Sequence, residues 1–404
     1  MITDQFSVPS RLKTSGLVLT LIGVLTLIVG IFALLINGDG HNDVTRFWVM
    51  LLQDSVFFLM MAVSSVFIMA AAALAQGSWI VAYRRVPEAI GANVWLFGLI
   101  ALVVLLCIVF GFDTHNPIYH WVHPEGDKIL EGKSGFLNKY MFVGFSVATI
   151  GLWSFFGRKF RSLSLAQEKA ARNSTRLYWK TIVFGGLFLL VYALTMMSIT
   201  PWLWLMSIDA HWYSTMYSWN VFASAFVSGM SLILLWTVYL KNKGNMVLVT
   251  KEHMHDLGKF MFAFSIFWTY TWFAQYMLIW YGNIPEETTY FKMRQQGPYG
   301  FLFYANLIIC FVFPILILMS APSKRNYFTI VFMALALLFG HWMYFYLLTV
   351  PGPLQEHWTI GWYEIGILLG FVGVMILSVG KTLSKADLIT QNNLLLKEAV
   401  IHVS

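Results

Sequence analysis

The sequence predicts an all-α integral membrane protein with ten transmembrane helices. Of its 404 residues, 58% are hydrophobic and only 11% are charged, a composition far from that of soluble domains. Ten apolar runs also reach the length of about 20 residues that a helix needs to cross a hydrocarbon core. Because a soluble fold would expose much of this apolar surface, the composition excludes a water-soluble enzyme, a disordered scaffold and a nucleic-acid-binding domain.

The predicted helices follow the apolar runs in chain order. They occupy residues 17–37, 47–75, 92–112, 137–157, 180–200, 216–240, 257–282, 300–320, 327–350 and 361–380. No run shows the ten-residue alternation of a membrane β-barrel, so a helical bundle is favoured. The first run is too long for the apolar part of a signal peptide, and no cleavage site follows it. We therefore expect residues 1–404 to form a single integral membrane domain.

Lysine and arginine residues predict the orientation of the bundle. With the N-terminus in the cytoplasm, 20 of the 26 basic residues lie on inner segments and 6 lie on outer ones. Cytoplasmic loops carry such an excess, so both termini, including the tail 381–404, are expected to be cytoplasmic. The formal net charge of +7 then reflects membrane topology and requires no polyanionic ligand.

A weak internal repeat predicts two parallel four-helix sets. Gly135-Phe136-Leu137 at the start of the fourth run matches Gly300-Phe301-Leu302 at the start of the eighth, and Trp48 matches Trp212 at nearly the same offset. The repeats would cover residues 47–200 and 216–350, flanked by single peripheral helices at 17–37 and 361–380. Such repeats often leave a polar region between or within the bundles.

Histidine and cysteine positions predict a chain without its own redox centre. Of the ten histidines, only His341 lies within a predicted span, and the sequence has no CxxCH motif. Cys107 and Cys310 stand alone in apolar runs, so haem, an iron–sulfur cluster and a disulfide framework are not expected. Metal binding stays open as an alternative in one outer loop, at Asp113, His115, His120, His123 and Glu125.

Ionisable residues at membrane depth are functional candidates because their burial in hydrocarbon is costly. Asp54 lies about 16 Å along the second helix from its outer end, and His341 lies in the ninth helix among aromatic residues. Each also has a purely structural alternative, as a group that is hydrogen-bonded inside the bundle.

Polar residues near the helix ends extend the set of candidates. Asp209 and His211 precede the sixth helix as a potential proton-passing pair, although Ser207 or Asp209 could instead cap that helix. Glu286 and Glu287 are adjacent, so their repulsion would keep one of them protonated. On the inner side, the corresponding candidates at the start of the seventh helix are His255 and Asp256.

Three segments carry a resemblance to a known family: MSIDAHWYSTMYSWNVFAS (206–224), HDLGKFMFAFSIFWTYTWFAQYMLIWYGNIPEET (255–288) and HWVHPEGDKILEGKSGFLN (120–138). They resemble the ten-helix ActF-type membrane subunit of bacterial alternative complex III, a quinol:cytochrome c oxidoreductase. Its broader relatives are polysulfide-reductase-type, NrfD-like membrane subunits.

The resemblance implies a place in a respiratory complex of the bacterial inner membrane. Menaquinol or another quinol would be oxidised in an NrfD-like sister subunit beside an iron–sulfur subunit. Electrons would pass to multihaem cytochrome c subunits and then to cytochrome c or a terminal oxidase. This chain would bind no cofactor, would contact lipids, and would offer a proton path through Asp54, Asp209, His211, His255, Asp256, Glu286, Glu287 and His341.

Two other functions remain as alternatives. In the first, the chain binds quinol directly, with Trp280 and Tyr281 clamping the ring and Glu286 or His211 accepting a proton. In the second, the repeats belong to a secondary transporter. Transporters usually have broken helices in corresponding positions of both halves, and Pro314 in the eighth helix has no counterpart in the fourth.

Overall fold

The computed structural model describes residues 4–36, 41–111, 116–124, 126–170, 175–357 and 360–402, and these residues form helices and turns without a strand. The predicted all-α polytopic membrane fold is confirmed. Ten long helices follow one another in the order α1 (Ser10–Ile36), α2 (His41–Leu74), α3 (Arg85–Phe110), α4 (Lys139–Lys169), α5 (Arg176–Trp204), α6 (Met216–Asn242), α7 (Lys251–Gly282), α8 (Gly297–Leu318), α9 (Tyr327–Thr349) and α10 (Trp362–Leu383).

Nine of these helices, all except α7, are long and apolar enough to cross a membrane, counted over the described ranges. Helix α7 has 32 residues, which is ample length, but Thr269, Thr271 and Gln275 interrupt its apolar sequence. Its ends nevertheless lie at opposite ends of the bundle, as the contacts of the connecting segments show.

Contacts of the N-terminus establish that α7 crosses the bundle. The amide of Asp4 donates to Asp387 at 3.0 Å, and a carboxylate oxygen of Asp4 accepts from Asn245 at 2.6 Å. Asn245 follows α6 and Asp387 follows α10, so the chain returns to the same end between these two residues. Because α8, α9 and α10 make three crossings, α7 must make the fourth.

We name the two ends of the bundle by the predicted orientation. The end that carries both terminal segments is the inner end. The end that carries residues 120–138 is the outer end. There, Lys133 donates to the carbonyl of Ala210 at 2.6 Å, which joins the connection after α3 to the connection after α5.

The helices form two sets of four with the same neighbour pattern. In the first set α2, α3, α4 and α5 each contact the next, and α5 returns to α2; α6, α7, α8 and α9 repeat this arrangement in the second set. The two sets meet where α2 packs against α6 and α9, and α2 and α6 are the most buried helices. A Cβ on Gly229 of α6 would lie 2.8 Å from the Cβ of Ser64, so this central contact depends on a glycine.

Helices α1 and α10 pack against each other outside the two sets. A Cβ on Gly23 would lie only 2.3 Å from the Cα of Gly370, so the two backbones are nearly in contact. Small residues allow such close approach of membrane helices. This pair rests mainly on α2 and α3 through α10.

The helix boundaries and interior turns depart from the apolar runs in two ways. Helix α4 continues to Lys169, beyond the predicted end at residue 157, because hydropathy marks only the apolar part of a helix and Leu, Gln, Glu and Lys continue it well. Helix α8 contains π-helical turns at Ile308–Val312 and Pro314–Leu318, where Pro314 supplies no N–H. Its counterpart α4 is an uninterrupted α-helix.

Candidate functional site

At the outer end, the half-buried carboxylate of Asp209 forms an ion pair with a buried arginine that the sequence did not single out. Its Oδ2 accepts from Nη2 of Arg294 at 2.8 Å, and Arg294 lies in a short outer helix, Pro285–Gln295. The guanidinium also donates to the carbonyl of Leu347 at 2.8 Å and stacks on the ring of Tyr290 at 3.4 Å from its centroid. Burial alone would lower the pKa of Arg294, but Tyr290 and Asp209 outweigh it and raise that pKa.

Asp209 and His211 do not form the predicted pair. His211 Nε2 instead contacts Asp127 Oδ2 at 2.9 Å, and His211 is more than half exposed. Asp209 ends a 3₁₀ turn, Met206–Asp209, and His211 lies beyond that turn. The capping expectation is also wrong, because α6 begins at Met216, well beyond Ser207 and Asp209.

The two carboxylates and two aromatic residues after the seventh span lie near the surface. Glu286 is exposed and Glu287 is half-buried in the first turn of the helix Pro285–Gln295, where the helix dipole favours negative charge. Trp280 is 66% exposed and Tyr281 is 82% exposed. These two aromatic side chains therefore lie on the outside of the described structure.

The two interior candidates, Asp54 of α2 and His341 of α9, are both buried and have different partners. Trp342 donates its indole N–H to Oδ1 of Asp54 at 2.7 Å, so Asp54 faces the interface between the two sets. His341 Nδ1 lies 2.9 Å from the hydroxyl of Ser224 on α6. The other ring nitrogen of His341 is buried without a hydrogen-bond partner in the described part of the chain.

A line of buried polar side chains leads from the outer ion pair toward His341. The hydroxyl of Tyr344 donates to the side-chain oxygen of Asn220, and the Asn220 amide donates to Thr271 Oγ1 at 2.8 Å. Asn220 also donates to the carbonyl of Trp268, whose ring lies edge-on to His341 with centroids 5.5 Å apart.

A small cavity connects this line to the outer ion pair. Its volume is about 20 Å³, which is room for roughly one water molecule. Polar side chains from five helices meet there: Tyr217, Gln275, Tyr290, Arg294, Asn306 and Tyr344. The hydroxyl of Tyr217 has no protein partner among the described residues, so a water in this cavity would satisfy it.

The inner candidates belong to a separate cluster at the start of α7. Asp256 accepts from Lys259 at 2.7 Å and contacts His402 Nε2 at 2.6 Å, and His255 Nδ1 lies 4.0 Å from Glu252. The tail therefore supplies a partner to Asp256, a role that the sequence did not indicate. The hydroxyl of Ser228, on α6 between this cluster and the outer line, donates to the backbone carbonyl of Ser224 in the same helix.

The metal-binding alternative finds no cluster in the described residues. Asp113, His115 and Glu125 lie outside them. In the described ranges, no group of three His, Cys, Asp or Glu side chains is placed to hold a metal ion.

The fold defines the chain as an all-α polytopic membrane protein, with nine helices in its described part that are apolar and long enough to span a bilayer. No family model matches the sequence, and a search of curated proteins gives no match. The relationship to alternative complex III thus remains a prediction from the three sequence segments.

Proposed function

We propose that this chain is a non-redox integral membrane subunit of a respiratory quinol:cytochrome c or quinol:oxidase complex. Its roles would be to stabilise the assembly and to carry part of a proton path. It would lie in the bacterial inner membrane with cytoplasmic termini, beside an NrfD-like quinol-site subunit, an iron–sulfur subunit and multihaem cytochrome c subunits. Haem, iron–sulfur clusters and the quinol would belong to those partners.

The observation that carries the proton-path proposal is the polar line inside the second set. It starts at the ion pair of Asp209 and Arg294, passes the small cavity, and continues through Tyr344 and Asn220 toward His341. Polar groups are expensive at membrane depth and commonly mark ion or proton pathways. Asp54 is a separate buried candidate, and its partner Trp342 is adjacent in sequence to His341.

The two alternatives have less support. Direct quinol binding would use Trp280, Tyr281, Glu286 and His211, whose side chains are exposed. A secondary transporter would have broken helices at matching positions of both sets, but α4 is continuous where its counterpart α8 has π-helical turns.

The proposal is tested in vesicles that contain the complex isolated through this chain. Asp209→Asn and Tyr344→Phe should leave quinol oxidation close to normal and reduce the protons released per electron. Glu356→Gln, at an exposed acid of the same end that is not among the proton-path candidates, is the matched control and should change neither quantity.

Two outcomes count against the proposal. If Asp209→Asn and Tyr344→Phe both leave proton release unchanged, the polar line carries no protons and only the structural role survives. If the chain does not copurify with a multihaem cytochrome c and an iron–sulfur protein, the respiratory assignment fails.

A further inference from the structure

A cavity of about 440 Å³ lies between the pair α1–α10 and the interface of α2, α6 and α9. This volume falls within the range of roughly 300–1,000 Å³ that small-molecule pockets occupy. Its walls are built from Leu, Ile, Val, Met, Phe and Trp side chains and a single tyrosine, Tyr239. The chemistry of the walls selects an apolar ligand.

The cavity opens sideways at membrane depth. Leu335 and Phe339 line it, and they are 55% and 52% exposed on the outside of the bundle. Along α6 the lining runs from Tyr239, three residues before the end of the helix, to Leu232, a length of about 10 Å at 1.5 Å per residue. The cavity thus begins near the inner end, and its opening faces the hydrocarbon region of a bilayer.

Three exposed cations lie near the inner limit of this cavity. Arg11 and Lys13 flank Leu12, which lines it, and Nζ of Lys243 lies 5.9 Å from the ring centroid of Tyr239. Basic residues beside a gap between membrane helices on the cytoplasmic side are suited to anionic lipid headgroups.

We propose that this cavity binds an anionic phospholipid, with an acyl chain in the apolar cavity and its phosphate among Arg11, Lys13 and Lys243. A neutral prenyl chain would fit the apolar walls equally well, but it has no negative charge to pair with the three cations. The charge at the inner limit therefore selects the phospholipid. This site is independent of the proton path, since its lining contains none of the proposed proton-carrying residues.

The first experiment tests the cavity. The full chain is exchanged into micelles with equal amounts of phosphatidylglycerol and phosphatidylcholine, and retained lipids are counted by native mass spectrometry. The wild type should retain one phosphatidylglycerol. Leu338→Trp, which fills the cavity, should lose it, whereas Leu187→Trp on the exposed face of α5 should keep it. Both variants must unfold at the wild-type temperature for this comparison.

The second experiment tests the headgroup contacts without changing the interior. The triple variant Arg11→Gln, Lys13→Gln, Lys243→Gln should lower the preference for phosphatidylglycerol by about fivefold per neutralised cation. The matched control neutralises three other exposed cations at the inner end, Arg176, Lys180 and Lys397, and should leave the preference intact.

The possible results separate the occupants. Equal retention of both lipids by the wild type, or an unchanged preference in the triple variant, would overturn the anionic assignment. If the wild type retains an uncharged prenyl quinone and Leu338→Trp does not, the ligand of the cavity is that quinone and not a phospholipid. If the wild type and Leu338→Trp retain the same lipids, the cavity is not a lipid site.

Discussion

The indole N–H of Trp342 donates to a carboxylate oxygen of Asp54 at 2.7 Å, and both side chains are buried. The bond joins α9 of the second set to α2 of the first. Because it satisfies an acidic group at membrane depth, we treat it as a stabilising contact between the two sets.

Trp342→Phe should destabilise the chain by about 1–3 kcal/mol, because the buried Asp54 loses its donor. Replacing both residues in Trp342→Phe, Asp54→Leu should recover part of this loss. The free energy of unfolding is measured by denaturant titration in micelles. Trp280→Phe, at an exposed tryptophan, is the control, and an equal effect in both single variants would show that the hydrogen bond contributes nothing.

Gly23→Ala should separate α1 from α10. The added Cβ would lie 2.3 Å from the Cα of Gly370, and a backbone atom cannot move aside as a flexible side chain can, so we expect a loss of about 1–3 kcal/mol. Gly186→Ala is the matched control, because a Cβ there meets nothing within 4 Å. The unfolding temperature and the yield of a cysteine cross-link between α1 and α10 are measured. If the cross-link forms equally in both variants, the close contact is unimportant.

Arg85→Gln should loosen the inner end. Arg85 is buried, donates to Glu88 at 2.7 Å and to the carbonyl of Asp387 at 3.0 Å, and pairs with Glu168. Removing one partner of a buried ion pair typically costs about 3–5 kcal/mol. Arg176→Gln changes an exposed arginine at the same end and should have little effect.

The measurement for Arg85 combines unfolding with limited proteolysis. Because Asp387 lies in the tail 381–404, Arg85→Gln should expose residues 388–402 to protease at a denaturant concentration where Arg176→Gln remains intact. Equal cleavage of the two variants would contradict a role of Arg85 in holding the tail.

Protonation of Asp127 should open the outer loop at low pH. Partial burial opposes its charge, but amide donors from Leu130 and Ile129, together with His211, outweigh that effect and lower the pKa of Asp127. Because the pKa is lower in the folded state, the charged carboxylate stabilises the folded loop at pH values above the unfolded-state pKa of about 3.9. That contribution is lost as the pH falls through the lower, folded-state pKa.

Hydrogen exchange of the helix Lys128–Gly132 checks this pH dependence, after correction for the intrinsic exchange rate. Protection should fall below about pH 4 in the wild type. Asp127→Asn keeps a good N-cap side chain but removes the titration. If the variant loses protection over the same pH range as the wild type, another group is responsible.

Some site residues could be predicted from the sequence, because an ionisable residue inside an apolar run is recognisable from its own segment. Asp54 and His341 stand in apolar runs, so their placement inside the bundle follows from composition alone. Arg294 was missed, although it is one of only 6 basic residues on the side that disfavours them. Tyr344 and Asn220 could not be predicted as site residues, because only the packing of α6 against α9 brings them into contact.

The sequence alone determined the helical class, the ten crossings and their predicted orientation. Those properties depend on segment length, apolarity and loop charge, and each of these can be evaluated for one segment without knowledge of the others. Only the tertiary structure decided which polar groups meet. Asp209 pairs with Arg294, and His211 contacts Asp127. These partners come from distant parts of the chain, so they depend on how the two four-helix sets pack.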